Sequence, residues 1–203
     1  MQTLFYFHDP MCSWCWGYRT TWLKLLELLP NSIQVEFLVG GLAPDSDDAM
    51  TQEMAKTIQS HWRRIERELG ARFNHDFWVE CEPRRSTYPA CRAVIAAKCQ
   101  NAEKEMILAI QHAYYLQAKN PSNVETLVSI AEDLNLDIKV FKKDINATQT
   151  EEVLSVQIGL ARSWQVPGFP SLVLKRGDSI HPIKINYLDA SLTYKQIMQY
   201  IPL

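Results

Sequence analysis

The chain begins with two short apolar runs, and between them apolar residues recur at helical spacing. Thr3 to His8 is a run of apolar and aromatic residues that stops at Asp9-Pro10, a pattern that predicts a buried strand and its end. Apolar positions from Cys12 onward follow a helical period until Pro30, and Gln34 to Val39 predicts a second strand. A helix that joins two such strands is typical of a parallel β-α-β unit.

The middle of the chain favours helix throughout. An apolar stripe at helical spacing predicts one long helix with an inward face made of Met54, Ile58, Trp62, Ile65 and Leu69. Two later helix starts are predicted because Ser122 and Thr148 are each followed three residues on by a glutamate, as in a capping box. This block contains no sequence pattern that favours a strand.

After Phe169-Pro170 the spacing of the apolar residues is again that of a β-strand. Ser171 to Lys175 and Ile180 to Ile185 predict two strands, and Pro182 suits the second one to a sheet edge. A final helical stripe closes the chain, so the element order is β-α-β, a helical block, then α-β-β-α. We therefore predict an α/β protein in which residues 1–44 and 148–203 form one domain and residues 45–147 form an all-helical insertion.

Composition and charge narrow the classes of function. Lys and Arg number 21 and Asp and Glu number 23, so the net charge of −2 gives no reason to expect nucleic acid or a membrane as a partner. The chain start lacks a signal-peptide pattern, and no apolar run approaches the ~18 residues of a transmembrane helix, so we expect a cytoplasmic location. A chain of 203 residues needs no disulfides for stability, so a close pair of cysteines indicates chemistry.

Cys12 and Cys15 form the one C-x-x-C motif, at the turn from the first strand into the helix. Two thiols one helical turn apart can form and open a disulfide without refolding, and the positive end of the helix stabilises a thiolate. Cys12 is therefore predicted to be the nucleophile, and Cys15 is predicted to resolve the mixed disulfide. A metal site or an inert pair are the alternatives, but Cys81, Cys91 and Cys99 lack metal-ligand spacing, so no metal is expected.

Phe169-Pro170 is the second part of the candidate site, about 155 residues downstream of the cysteines. A proline opposite the cysteines across the sheet would lie in the same cleft. A cis bond there would turn the Phe169 backbone toward the sulfurs, where it can pair with an extended substrate. The residues alone leave open whether this bond is cis or whether Pro170 is an ordinary loop proline, with Pro167 an alternative for the same role. Trp14 is predicted to be exposed and to offer the substrate an aromatic wall.

The motifs together resemble a known superfamily. A strand, Cys12-Ser13-Trp14-Cys15, a helical insertion and Gly168-Phe169-Pro170 before a strand resemble the thioredoxin superfamily, and within it the DsbA-like proteins with a helical insertion. His8 to Gly17, Gly40 to Pro44 and Ser86 to Ala93 look like a bacterial, non-secreted DsbA/FrnE-type branch. The resemblance covers essentially the whole chain. It implies a thioredoxin-like fold, a cis Pro170 and a substrate groove between the cysteines, Phe169 and the insertion.

The resemblance leaves the direction of electron flow open. Exported oxidases of the superfamily carry Pro-His between the cysteines and thioredoxin-like reductases carry Gly-Pro, whereas this chain has Ser13-Trp14. His8 and Asp9, four and three residues before Cys12, are candidate proton-transfer groups, although residues there also commonly end a strand and begin a turn.

The remaining candidates have weaker signals. Cys91 and Cys99 share a helical face and are predicted to be small buried hydrophobic residues, because they lie too far apart for a disulfide. Cys81 is a candidate third thiol, but its two flanking carboxylates disfavour the thiolate. Arg84-Arg85 is predicted to be a solvated corner, and the alternative is that it binds the carboxylates of glutathione.

These observations predict a thiol–disulfide oxidoreductase that acts on disulfide- or thiol-containing peptides, proteins or glutathione. No cofactor is expected, apart from glutathione as a thiol partner. One alternative is a glutathione-dependent transferase or isomerase similar to the kappa class, which carries Ser where Cys12 stands. The other is a chaperone-like module that binds peptides on the surface of Trp14 and Phe169.

Overall fold

The two apolar runs at the start of the chain form neighbouring parallel strands of a four-stranded sheet. The computed structural model describes residues 2–201. Its first unit consists of β1 (Gln2–His8), α1 (Ser13–Leu28) and β2 (Ile33–Val39). Each strand begins one residue before its predicted start and ends at its predicted end, so the β-α-β prediction is confirmed.

The following hundred residues, roughly, form helices that pack on this unit. Their bounds are α2 (Gln52–Leu69), α3 (Phe77–Glu80), α4 (Tyr88–Lys98), α5 (Glu103–Leu116), α6 (Val124–Asp133) and α7 (Ile138–Asp144). The predicted cap of α6 is wrong by one residue, because Asn123 is the N-cap. The Ser122 hydroxyl instead donates a hydrogen bond to the Ser86 carbonyl at 2.7 Å and fastens α6 to the segment before α4.

The last part of the chain completes the sheet. Its elements are α8 (Thr148–Ser163), β3 (Ser171–Arg176), β4 (Ser179–Ile183) and α9 (Ala190–Met198). The strand order is β2-β1-β3-β4, with β3 antiparallel to both β1 and β4. The α/β class is confirmed, and so is the edge position predicted from Pro182. Thr148 is the first helical residue of α8 and does not cap it, because Ala147 occupies the N-cap.

The larger of two hydrophobic clusters runs through both the sheet and the inserted helices. Leu4 of β1 and Trp62 of α2 belong to the same cluster of buried side chains. Gly17 allows α1 and α2 to approach closely, since a Cβ atom there would lie 2.7 Å from Cγ2 of Ile65. The insertion is thus packed directly against the helix that begins at the C-x-x-C motif. Within residues 2–201, none of the helices has the length and apolar character needed to cross a membrane.

Candidate active site

The first cysteine of the C-x-x-C motif caps the helix that follows it. Cys12 is the N-cap residue of α1, and its Sγ accepts a hydrogen bond from the Cys15 backbone N–H at 3.4 Å. The Cys12 backbone N–H donates to the Asp9 carbonyl at 3.0 Å, which closes the turn between β1 and α1. The Cys12 sulfur therefore lies at the positive end of the helix, where the first N–H groups have no partner within the helix.

The second cysteine lies behind the first and has almost no contact with solvent. Cys15 is 1% exposed and Cys12 is 6% exposed. Burial raises the pKa of Cys15 well above its usual value, and the neighbouring Cys12 sulfur raises it further. Cys15 is consequently held as a thiol, whereas Cys12 is the cysteine that lines the cleft in front of the pair.

Phe169 brings its carbonyl to the Cys12 sulfur from the other end of the chain. The Cys12 thiol donates a hydrogen bond to this oxygen at 3.3 Å, and the Phe169–Pro170 peptide bond is cis. The Phe169 ring lies over Gly40, where an added Cβ atom would be 1.8 Å from the ring Cζ. Gly40 therefore leaves the room that the ring needs beside the cysteines.

A cleft of about 360 Å³ opens in front of Cys12. Phe169 and Trp14 line one side of it, next to the cysteine. Apolar side chains of the insertion line the other side, namely Met50, Met54 and Ile58. This cleft lies where the resemblance places the substrate groove. The sequence stripe on α2 predicts Met54 and Ile58 as inward residues, but both are half-buried and face the cleft.

Trp14 separates this cleft from a second apolar groove. It is half-buried, so the prediction that it is exposed is wrong. Its ring lies 5.2 Å from the Arg64 guanidinium carbon and contacts the Tyr187 ring edge-on at 5.4 Å. The groove on its far side includes Leu188, which is 73% exposed. Trp14 is thus held between the insertion and the segment before α9, with an apolar surface on either side.

The two arginines at the cleft rim have different environments. The Arg84 guanidinium donates hydrogen bonds to the Ser122 carbonyl at 2.9 Å and to Asn123 Oδ1 at 2.8 Å, so it holds the insertion together. Arg85 is exposed and contacts the sulfur of Met54 at 3.9 Å. Within residues 2–201 Arg85 forms no ion pair. Arg85 is therefore the cation at this rim that a negatively charged ligand can approach.

Asp9 connects the cysteine turn to two other segments. Its buried carboxylate accepts hydrogen bonds from the backbone N–H groups of Met11 and Leu42, both at 2.8 Å, and from the Thr87 hydroxyl at 2.7 Å. The Cys91 thiol also donates to it, at 3.6 Å. Burial raises the pKa of Asp9, and these hydrogen bonds oppose the shift in part. No sequence signal for the Thr87 contact exists, because it joins residues far apart in the chain.

His8 is buried without a polar partner. It is 1% exposed, and neither ring nitrogen has a hydrogen-bond partner among the described residues. Its ring stacks on Tyr6 with the centroids 5.4 Å apart. Burial lowers the pKa of His8 from 6.5 to about 3. Neither His8 nor Asp9 lines the cleft, and the proton-transfer role of these two residues stays a prediction.

The other cysteines lie away from the pair. Cys91 is buried as predicted, but Cys99 is exposed, because α4 ends at Lys98 and Cys99 is its C-cap. Cys81 is half-buried and its thiol donates a hydrogen bond to the Ala118 carbonyl at 2.9 Å. Burial raises the pKa of Cys81, and the charge of Glu80 adds to this. Between residues 2 and 201 no three His, Cys, Asp or Glu side chains group together in a way that could hold a metal ion.

The sequence and the fold both have relatives among known proteins. A sequence model of the thioredoxin family matches residues 5–195. The ClpXP adapter protein SpxH of Bacillus subtilis is 26% identical over 173 residues, which are 83% of this chain and 56% of SpxH. SpxH of Halalkalibacterium halodurans is 24% identical over 178 residues, 84% of this chain and 57% of that protein. The chain spans a little over half the length of these curated relatives.

Solved structures share the whole arrangement. A candidate protein disulfide isomerase from Nitrosomonas europaea has a TM-score of 0.85 and 23% identity, and the match covers 98% of this chain and 97% of the other. The cytosolic disulfide reductase DsbM from Pseudomonas aeruginosa has a TM-score of 0.75 and 21% identity, with 90% and 89% covered, and has also been solved with glutathione. At these identities the likeness concerns the fold, and it confirms the thioredoxin-like fold with a helical insertion.

Proposed function

Because the chain belongs to the thioredoxin family, we propose that it is a thiol–disulfide oxidoreductase with Cys12 as nucleophile and Cys15 as resolving cysteine. One observation carries the proposal: the Cys12 sulfur caps α1, faces the Phe169 carbonyl and lines the cleft, while Cys15 lies buried directly behind it. This is the asymmetry that the two roles require, since the attacking sulfur must meet substrate and the resolving sulfur must not.

The reaction that we propose moves two electrons from the cysteine pair to a disulfide. The Cys12 thiolate attacks one substrate sulfur, the substrate S–S bond breaks, and the other substrate sulfur leaves as a thiol after taking up a proton. Cys15 then loses its proton and attacks the Cys12 sulfur. A Cys12–Cys15 disulfide forms and the second substrate thiol is released. Two molecules of a thiol such as glutathione regenerate the reduced pair by the reverse exchange and leave as their own disulfide.

The cleft favours a substrate with both apolar and negatively charged parts. Its walls are apolar at Met54, Ile58 and Phe169, and Arg85 stands exposed at the rim. A mixed disulfide of glutathione fits this chemistry, since its carboxylates can approach Arg85 while its sulfur meets Cys12. The structure of DsbM with glutathione supports glutathione as a partner. As DsbM is described as cytosolic, its similar fold also supports the expected cytoplasmic location.

Exchange with glutathione mixed disulfides tests this proposal. We expect Cys12→Ser to abolish turnover and Cys15→Ser to accumulate a Cys12–glutathione adduct that is visible by mass spectrometry of the intact protein. Cys99→Ser is the matched control, because it removes an exposed thiol outside the cleft, and it should leave the rate unchanged. Unaltered exchange in Cys12→Ser would refute the proposal. Glutathione-dependent transfer or isomerisation that survives Cys15→Ala would instead favour the glutathione-dependent transferase.

A peptide-binding module is the second candidate function. The grooves on both sides of Trp14 expose apolar surface, including Leu188, and the SpxH relatives are adapter proteins. Under this reading a client peptide would bind equally well to the oxidised and the reduced protein. The affinity for a disulfide-containing peptide measured in both redox states separates the two functions, because only the reduced cysteine pair can attack the disulfide of the peptide.

A further inference from the structure

A second cavity of about 230 Å³ lies on the other side of the cysteine pair. It is formed by α1, α5, β1 and β2, and it shares no residue with the cleft in front of Cys12. Cys15 lines this cavity, whereas Cys12 lines the cleft.

The cavity has an apolar body. Trp22 and Phe37 form two of its walls and meet edge-to-face, with ring centroids 5.9 Å apart. Leu26 and Ile107 supply aliphatic walls, and Leu23 at the edge is 42% exposed. Covering a concave, solvent-exposed apolar surface with an apolar group lowers the free energy of the system. The volume suits a molecule with one ring or a short alkyl chain, since cavities of about 150 Å³ already bind benzene.

The lining of the same cavity includes one side-chain amide. Gln111 of α5 lines it and is only 4% exposed. The Gln111 amide is not among the fully enclosed polar groups of residues 2–201 that lack a partner, so its polar atoms keep contact with solvent at the cavity. Gln111 is therefore a polar group that a ligand can satisfy from inside an apolar cavity.

The mouth of the cavity carries more positive than negative charge. Arg19 and Lys104 both lie there, and within residues 2–201 neither forms an ion pair. The Lys104 ammonium is 5.6 Å from the centroid of the Phe37 ring, directly above an apolar wall. Glu105 is the one carboxylate at the mouth, so two cations face one anion.

We propose that this cavity binds a small carboxylate with an aromatic or aliphatic body. The body lies between Trp22, Phe37 and Ile107, and the carboxylate lies at the mouth between Arg19 and Lys104. The Gln111 amide hydrogen-bonds a polar atom of the body or of a water molecule bound with it. Cys15 belongs to the lining but is only 1% exposed, so the ligand lies next to the buried second cysteine, on the side away from the cleft.

Methyl NMR with 4-phenylbutanoate as the probe tests the proposal. We expect saturable shifts at the Ile107 and Leu108 methyl groups at or below about 1 mM, the range for a ligand of this size, while the Met50 and Met54 methyls of the cleft stay unchanged. 4-Phenylbutanol and 4-phenylbutylamine should bind more weakly. Shifts confined to the cleft methyls, equal binding of the amine, or no saturable shift would each overturn the proposal.

Charge variants check the mouth without disturbing the fold. Lys104→Glu reverses an exposed charge and should weaken 4-phenylbutanoate about 2- to 5-fold, the range for one solvent-exposed ion pair. Lys24→Glu is the matched control, because Lys24 is exposed on α1 and lies outside the cavity. Leu26→Trp fills the cavity and should abolish the shifts. If Lys24→Glu lowers the affinity as much as Lys104→Glu does, the net charge of the protein attracts the ligand. That result would contradict the proposed site.

Discussion

Mild acid should destabilise this protein through His8, and replacing His8 by phenylalanine should remove that contribution. The imidazole is buried, has no hydrogen-bond partner among the described residues and stacks on Tyr6. Burial lowers its pKa from 6.5 to about 3, because a charged ring in this place would lose its hydration and gain no partner. The folded chain thus keeps His8 neutral at pH values where the unfolded chain binds a proton.

The sign and size of the effect follow from proton binding. Between pH 6.5 and about 3 the unfolded state holds more protons at His8 than the folded state, so the free energy of unfolding falls as the pH falls through this window. With about 1.4 kcal/mol per pH unit below the unfolded pKa, the loss between about pH 7 and pH 5 is about 2 kcal/mol. Burial raises the pKa of Asp9, so protonation of Asp9 stabilises the folded state in acid. That opposing contribution is common to both proteins.

Urea unfolding at pH 7 and pH 5 is the assay. Phenylalanine keeps an apolar ring against Tyr6 and Phe37, and it cannot bind a proton. The unaltered protein should lose about 2 kcal/mol more unfolding free energy between these pH values than His8→Phe. The C2 proton of His8 should also show no NMR titration down to about pH 5. Equal losses in the two proteins would refute the view of His8 as a neutral imidazole enclosed without a partner.

Three further substitutions test how the site is held together. Gly40→Ala should push the Phe169 ring away from its place, since the new Cβ would lie 1.8 Å from the ring; we expect slower disulfide exchange and a stability loss of about 1–3 kcal/mol in thermal unfolding. Thr87→Val removes a 2.7 Å hydrogen bond from the buried Asp9 and should cost about 1–3 kcal/mol in urea unfolding, whereas Thr87→Ser should retain most of it. Trp62→Ala empties a fully buried site and should cost about 3–5 kcal/mol; a loss below about 1 kcal/mol would show that α2 does not share the core of the sheet.

The sequence predicts those parts of the molecule that depend on neighbours along the chain. The strands come from apolar runs that Pro or Gly interrupts, and their predicted ends at His8 and Val39 agree with the structure. The C-x-x-C motif lies at the start of a helix because the strand ends only a few residues earlier. The sequence pairs Phe169-Pro170 with the cysteines, and the resemblance adds that the Phe169–Pro170 bond is cis. The structure has this cis bond and places the Phe169 carbonyl against Cys12.

The sequence does not predict contacts between distant segments. The apolar residues of α2 share one helical spacing, yet Trp62 lies in the core and Met54 faces the cleft. The difference arises because each turn of α2 packs against a different part of the fold. Asp9 has no local feature that identifies Thr87 as its partner. Cys99 has the spacing of a buried residue but lies just beyond the end of its helix, and helix ends are the least certain part of a periodic pattern.

The hydrogen bond between Cys12 and Phe169 joins residues that are 157 positions apart in the chain. At roughly 5–20 residues per second, a ribosome needs on the order of ten to thirty seconds to add the residues between them. During that interval the two cysteines have already been synthesised, but the strand and the Phe169 carbonyl that close the cleft have not. The pace of translation therefore sets how long the newly made Cys12 is open to pairing with Cys81 or Cys91 of the same nascent chain.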